Sequence, residues 1–309
     1  MAKSPVVVTA MALALFWPAG AMAEAMPDAS LAPHRAIYDL SLADSSGAIQ
    51  SAAGRVVYEI TGTACDGYAS RSRQVVVLEG ENNATTTDMR MTTFEDARGG
   101  AFRFKAETRN ANTPPKLVDG EAVRRDGAVA VNFVKPGRET VKLGDAMFPA
   151  AHLKALIAGA KDGKPIVEAR VFDGSEDGRS FYDTLAVIGR AGAAKPSDTA
   201  AKPSDNAADK GIDKSGPGEQ ATVKADDGDE AFAARQRRFD ALLGKAAHWP
   251  ISISYFKQAT ARSEALPVYV LSFDLYENGI ARSLALKYDN FTLKGELKEL
   301  VLLKAAACE

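Results

Sequence analysis

Alternation of apolar and polar residues is the main signal along this chain. A period of two, the mark of a half-buried strand, runs through 35–43, 54–61, 68–79, 83–93, 101–108, 115–124, 128–134 and 139–143. It continues through 166–172 and 180–189, and again through 251–257, 268–276, 281–288 and 291–303. That is about 14 strands by the periodicity and turn rules. Turn dipeptides punctuate them at Asp119-Gly120, Asp126-Gly127 and Asp173-Gly174, with the strongest hairpin signal at Asn278-Gly279. The last segment predicts a long strand with Phe291, Leu293, Leu297, Val301 and Leu303 on one face. Thr292, Lys294, Glu296 and Lys298 take the other.

Two stretches change to a helical period. In 149–160, Pro149 takes the first helical position and His152, Leu153, Leu156 and Ile157 follow. In 229–243, acidic residues open the helix, Arg235, Arg237 and Arg238 follow, and Gly244 closes it. Phe232, Phe239, Leu242 and Leu243 form its apolar face. A helix of this kind covers an end or edge of a large antiparallel sheet.

Two segments fall outside this pattern. Lys3, the apolar run from Val6 to Trp17, the breakers Pro18 and Gly20 and the small-residue site Ala21-Met22-Ala23 read as a secretory signal peptide over 1–23. The apolar run is too short to span a bilayer, which needs about 20 residues. Cleavage leaves no stable membrane span and places the mature chain in an oxidising compartment. From 191 to 230 there is no aromatic residue, and Ala-Lys-Pro-Ser-Asp occurs twice. Such a stretch does not bury enough apolar area to offset its conformational entropy and reads as a disordered insertion loop. The strands after it are apolar enough to need a larger sheet. The expectation is therefore a single domain over 24–309, interrupted at 191–230.

Composition narrows the function. With 38 basic and 40 acidic side chains and a formal charge of -2, a nucleic-acid partner is not expected. The two cysteines, Cys65 and Cys308, and three histidines leave no set for a zinc ribbon or a multi-histidine cage. No cofactor or metal site is expected. There is no nucleophile elbow, zincin motif, phosphate loop or calcium loop. Glu95-Asp96 is a candidate carboxylate pair of unknown spatial separation. His34 reads as a solvated or capping residue, His152 as a surface or interface histidine on the first helix, and His248 as structural. A catalytic set is absent, and the expectation is a protein that is not an enzyme. The aromatic residues Trp249, Tyr255, Phe256, Tyr269 and Phe273 cluster in two adjacent strands, either as core or as the wall of a ligand or partner site. An incomplete barrel with an apolar inner face suits an acyl chain or a lipidated client. Bridging Cys65 to Cys308 would constrain the unfolded chain by about 5 kcal/mol, but spacing does not decide between a bridge and two free thiols.

Several strings, in order, carry a resemblance. They are HRAIYDLSL at 34–42, GRVVYEITGTACDGY at 54–68, FEDARGGAFRF at 94–104, FPAAHLKALIAGAKDG at 148–163 and VFDGSEDGRSFYDT at 171–184. WPISISYF at 249–256, PVYVLSFDLYENGIARSLALKYDNFTLKGEL at 267–297 and the terminal Cys308 complete the set. Together they resemble the EipB-type cell-envelope integrity family of Gram-negative periplasmic proteins, long a domain of unknown function. The resemblance covers most of 34–308 outside 191–228. It implies an all-β-dominated β-spiral, an incomplete barrel of about 14 mostly antiparallel strands with two covering helices, and a disulfide between Cys65 and Cys308. It also implies a role in envelope integrity under stress, with other periplasmic proteins or an envelope lipid or polymer as partners. The family supplies no active site to carry over.

Overall fold

The structure, a computed structural model, describes residues 30–47, 49–111, 113–192, 227–257 and 266–308. Among them run β1 (His34–Ser45), β2 (Ile49–Thr63), β3 (Gly67–Gly80), β4 (Ala84–Glu95), β5 (Ala101–Asn110), β6 (Lys116–Arg125), β7 (Ala128–Lys135) and β8 (Glu139–Gly144). Helix α1 (Pro149–Lys161) follows, then β9 (Ile166–Val171), β10 (Tyr182–Ile188) and helix α2 (Asp227–Leu243). The chain continues with β11 (His248–Lys257), β12 (Tyr269–Tyr276), β13 (Ala281–Lys287) and β14 (Phe291–Leu302). The segment 1–23, read as a signal peptide, lies outside the described residues, as does 193–226 of the stretch read as a loop. Helix α2 begins at Asp227, inside that stretch.

All fourteen strands form one antiparallel sheet in the order β8-β7-β6-β5-β4-β3-β2-β1-β14-β13-β12-β11-β10-β9. Two meanders meet at the β1–β14 pair, where His34 faces Leu302 and Ser45 faces Phe291. The strands on either side of 193–226 are neighbours, from Tyr182 opposite Lys257 to Ile188 opposite Ile251.

The sheet curls round an inner face that is apolar from β11 to β1. Rows of directly opposed residues show it. Ile253, Leu271, Leu286, Leu293 and Leu42 form one row across β11 to β1, and Ile251, Phe273, Leu284, Gly295 and Leu40 form the next. Helix α1 sits within the curl. Its Leu156, Ile157 and Ala160 share a core with Ile60 and Tyr68 of β2 and β3 and with Ile188, Ile251 and Leu275 of β10 to β12. Strands far apart in the sheet order therefore wrap one helix.

The edges β8 and β9 are not hydrogen-bonded to each other. The link to α1 lies along β9 instead: Met147 N–H donates to the Arg170 carbonyl at 2.9 Å, and Phe172 N–H to that of Met147 at 2.9 Å. The β9–β10 connection crosses to the other edge, where the Arg179 guanidinium grips the Glu139 carboxylate of β8 at 2.8 and 2.7 Å. Each edge is thus met at one end, β9 at Val171 and β8 at Glu139. Helix α2 lies where β13 and β14 part. Their pairing runs only from Ser283–Glu296 to Lys287–Thr292. Phe239 and Leu243 pack with Tyr276, Ile280, Leu297 and Leu300.

Two expectations from the pattern are corrected. Asp119-Gly120 is not a turn but lies within β6. Gly120 is needed there because a Cβ would approach Phe104 Cζ to 3.0 Å and the Asn132 carbonyl oxygen to 2.9 Å. The inward face of β14 does not run on to Val301. Glu299 pairs with Ile37 and Leu297 with Tyr38, so Lys298 is a bulge and the parity flips after it. Leu300 is buried in place of Val301, which is 37% exposed, and Leu303 is half-buried.

Candidate functional site

The interior of the curl divides into a filled part and an open part. In the filled part, Phe102, Phe104 and Phe133 from β5 and β7 meet Phe148, Phe172 and Phe181. Phe102 and Phe148 stack at 5.1 Å, and Phe104 and Phe172 meet edge-on at 5.5 Å. The 173–181 loop closes over them through glycine. Gly174 has φ 71°, and a Cβ there would fall 2.5 Å from Phe104 Cγ.

The open part lies on the other wing. Tyr182 of β10, Tyr255 of β11, Tyr269 of β12 and Tyr288 beside β13 make a row of rings ending on Phe291. Successive centroids are 5.8, 4.5, 6.2 and 4.8 Å apart. Tyr255, Tyr269 and Tyr288 are half-buried although they face inward, as are Leu271, Leu284 and Leu286 beside them. Across the curl, Met89 shares the inner face through its pairing with Gln74 and is 38% exposed. These inward apolar groups pack against the core and keep solvent contact, and we read them as the lining of a shallow recess.

Polar groups stand at its rim. The Tyr182 hydroxyl donates to Glu176 Oε1 at 3.0 Å, and Lys257 Nζ to Glu176 Oε2 at 2.7 Å. Asp173 Oδ1 accepts the Ser175 N–H at 2.8 Å, and burial pushes its carboxyl above the usual range. Burial raises the phenols of Tyr182, Tyr255, Tyr269 and Tyr288 as well, so they stay neutral hydrogen-bond donors.

Of the five aromatic residues singled out in the sequence, Tyr255 and Tyr269 stack directly in this row. Trp249 and Phe273 share its face but are buried in the core against α1. Phe256 departs from the group. Strand alternation puts it on the opposite face from Tyr255, with Ser252 and Ser254. Tyr182, Tyr288 and Asp173 were missed because only the register of β10 against β11 and the curl bring them alongside.

The other candidates are structural. Glu95 caps α1 from β4: Ala150 N–H donates to Oε2 at 2.6 Å and Ala151 N–H to Oε1 at 2.9 Å. This replaces the side-chain cap that Phe148 at the N-cap does not give. Burial outweighs those bonds and raises the Glu95 carboxyl to about 7. Lys154, also buried, lies 4.8 Å over the Tyr68 ring. Asp96 accepts the Gly100 N–H at 2.7 Å. Both members of the Glu95-Asp96 pair are therefore engaged by backbone. His152 is not at the surface but buried at 5% exposure, with Nε2 3.5 Å from the Thr184 hydroxyl, and burial lowers it to about 4. His34 is likewise not solvated: it is 2% exposed, Nδ1 is 2.8 Å from the Ala32 carbonyl oxygen, and burial lowers its pKa. Inward parity on a curled strand and the α1 face packed against β10 account for both corrections.

At the far end, Cys65 in the β2–β3 turn is joined to Cys308 across a sequence separation of 243, with Cα atoms 5.8 Å apart. Thr63 Oγ1 accepts the N–H groups of Cys65 and Asp66, which sets that turn. Among the described residues, no group of three or more His, Cys, Asp or Glu side chains is placed to hold a metal ion. No helix among them is long and apolar enough to cross a membrane.

A fourteen-stranded antiparallel sheet curled round one helix, open at a single seam and tethered through its C-terminal tail, is a barrel-like spiral. The chain belongs to the EipB-like family, whose sequence profile matches residues 25–215 and 219–304. It is 32% identical over 276 residues to the cell envelope integrity protein EipB of Brucella abortus (strain 2308), covering 87% of this chain and 84% of that protein. A crystal structure of a beta-barrel-like protein of a domain of unknown function from Brucella abortus is also similar. It has a TM-score of 0.71 and 30% sequence identity, covering 89% of this chain and 99% of that one.

Proposed function

We propose that this protein maintains the integrity of the cell envelope from the periplasm as a non-enzymatic binding protein. Its inner recess holds the apolar part of an envelope component or lipidated client. The observation that carries this reading is the row Tyr255, Tyr269 and Tyr288 with Leu271 and Leu286, inward-facing yet half-exposed on a curled sheet. The six phenylalanines of the other wing are all buried, whereas these tyrosines are not. The neutral phenols supply hydrogen-bond donors where a polar head would emerge, beside the half-buried Asp173. The relative named for envelope integrity supports the cellular role, and the proposed signal peptide and the Cys65–Cys308 pair suit the compartment.

Two measurements test this. A deletion strain should be more sensitive than wild type to detergent and cell-wall antibiotics, and equal sensitivity overturns the role. Native mass spectrometry of protein taken from periplasm without delipidation should show a bound acyl species, and repeatedly empty spectra overturn the carrier function of the recess.

A further inference from the structure

The formal charge of -2 conceals an uneven surface. We propose that the outer face of β3–β5, with the trough running from it to β8, binds an extended anionic glycan, a sugar chain bearing carboxylate or phosphate groups.

Strand parity places Arg71, Arg73, Arg90, Arg103, Lys105 and Arg109 on this face, all exposed. Within these three strands Asp88 and Glu107, both half-buried, are the carboxylates set among them, while Glu59, Asp119 and Glu121 stand opposite Arg71, Lys105 and Arg103 on the flanking strands. Arg73 stands directly opposite Arg90. Like charges in that position destabilise a strand pair. Asp88 alone bridges them, at 2.9 and 3.0 Å, and Glu107 pairs with Arg109 at 2.6 Å. In the next row Arg71 and Lys105 flank Thr92, and neither has an ion pair within the described residues. An exposed sheet has no packing reason to keep this arrangement, and such local conflicts mark function.

The shape selects the ligand. A trough of about 1010 Å³ crosses the strands from Arg71 to Thr140, and a hollow of about 350 Å³ that shares Arg71 and Thr92 extends it to Arg35 of β1. From β3 to β8 is five strand spacings, about 24 Å, a length for a chain rather than a single headgroup. Beyond the cations, Asp119, Glu121 and Asn132 form the far wall. They would repel a uniformly anionic, flat bilayer, but they accept the hydroxyls of a sugar. Phe94, with the Arg103 guanidinium 5.1 Å from its ring centre, adds an aromatic surface for a sugar ring. The site shares no residue with the inner recess, so either can fail alone.

The test is titration of the full mature protein with polygalacturonate, a phosphomannan, neutral dextran and phosphatidylglycerol vesicles, at low salt and at 0.5 M salt. At least one anionic glycan should bind, and added salt should weaken it tenfold or more as screening shortens. Which of the two binds identifies the anionic group. The double variant Arg71→Gln/Lys105→Gln, which removes both charges without setting like charges opposite Glu59 and Asp119, should lose tenfold or more in affinity at unchanged melting temperature. Lys304→Glu, a charge change on the exposed tail, should bind like wild type. Failure of both anionic glycans, equal binding of dextran, retained affinity in the double variant, or tighter binding to vesicles would each overturn the proposal.

Discussion

The two wings of the interior are built from the same sheet with the same inward parity, yet they end differently. On the β5–β7 wing the inward rings are phenylalanines, and the 173–181 loop descends on them through Gly174 until no space remains. On the β10–β13 wing the inward rings beyond the buried Trp249 and Phe273 are tyrosines, and no comparable plug reaches them among the described residues. The difference lies in one oxygen per ring and in what the neighbouring loop can approach. Phenylalanine has nothing to lose by complete burial, whereas a buried tyrosine hydroxyl needs a partner. The filled wing supplies stability, and on our reading the open wing supplies binding.

The most direct way to break that comparison is truncation on each wing. Phe104→Ala removes a ring 2% exposed and in contact with Phe102, Phe133 and Phe172. It should cost about 3–5 kcal/mol. Tyr269→Ala, on the half-exposed row, should cost clearly less. Chemical denaturation of both variants checks this, and equal losses would mean that the tyrosine wing is ordinary core.

The tether is a second probe, because it acts on the unfolded chain rather than on either wing. Cys65→Ser and Cys308→Ser should each lower the stability of oxidised protein by about 2–5 kcal/mol. Ligand affinity of the recess should be unchanged. Melting curves equal to wild type would contradict the constraint, and free thiols counted in the wild type would contradict the bond.

How far this contrast was legible in the sequence depends on what each feature needs. Strand period and helix period are local, and they located all fourteen strands and both helices to within a few residues. Single-residue events were not legible. The bulge at Lys298 flips the face of β14, and Gly120 occupies mid-strand where Asp-Gly suggests a turn. The recess was half legible. Tyr255 and Tyr269 are close in adjacent strands, but Tyr182 and Asp173 join them only through register and curl, and Phe256 leaves them by parity. The outer cations were invisible to net charge, because their clustering on three strands depends on which strands pair.

A smaller effect separates the α1 plug from both wings. Glu95 has a folded pKa of about 7, above its ordinary value, so its contribution is present at pH below about 4.5 and is lost as pH rises through 7. His152, lowered to about 4, contributes above about 6.5 and loses that contribution as pH falls towards 4. Lowered His34 adds to the same side. The slopes oppose each other between pH 5 and 6.5, with the two histidines set against Glu95. His152→Gln should tilt the profile towards the Glu95 side, with stability rising less, or falling more, with pH than in wild type. Glu95→Gln should expose the histidine slope, with stability rising over the same range. Unfolding free energies at four or five pH values decide it, and parallel profiles in the two variants would show that neither group titrates as its burial implies.

The smallest change sharpens the comparison most. Tyr255→Phe and Tyr269→Phe keep the ring and its stacking at 4.5 Å and delete only the hydroxyls. If the open wing is merely loose packing, each variant should be as stable as wild type or slightly more so, and nothing else should change. If the phenols meet the polar end of a bound amphiphile, stability should again move by less than about 1 kcal/mol. Affinity for a fluorescent fatty-acyl probe should then fall several-fold, because one neutral hydrogen bond is worth about 0.5–1.5 kcal/mol. Phe104→Ala should show the reverse, a large loss of stability with probe affinity retained in the folded fraction. A double dissociation of this kind would assign the two wings to separate tasks. Coincident losses in stability and affinity on both wings would mean that the interior is one core and that the recess has no role of its own.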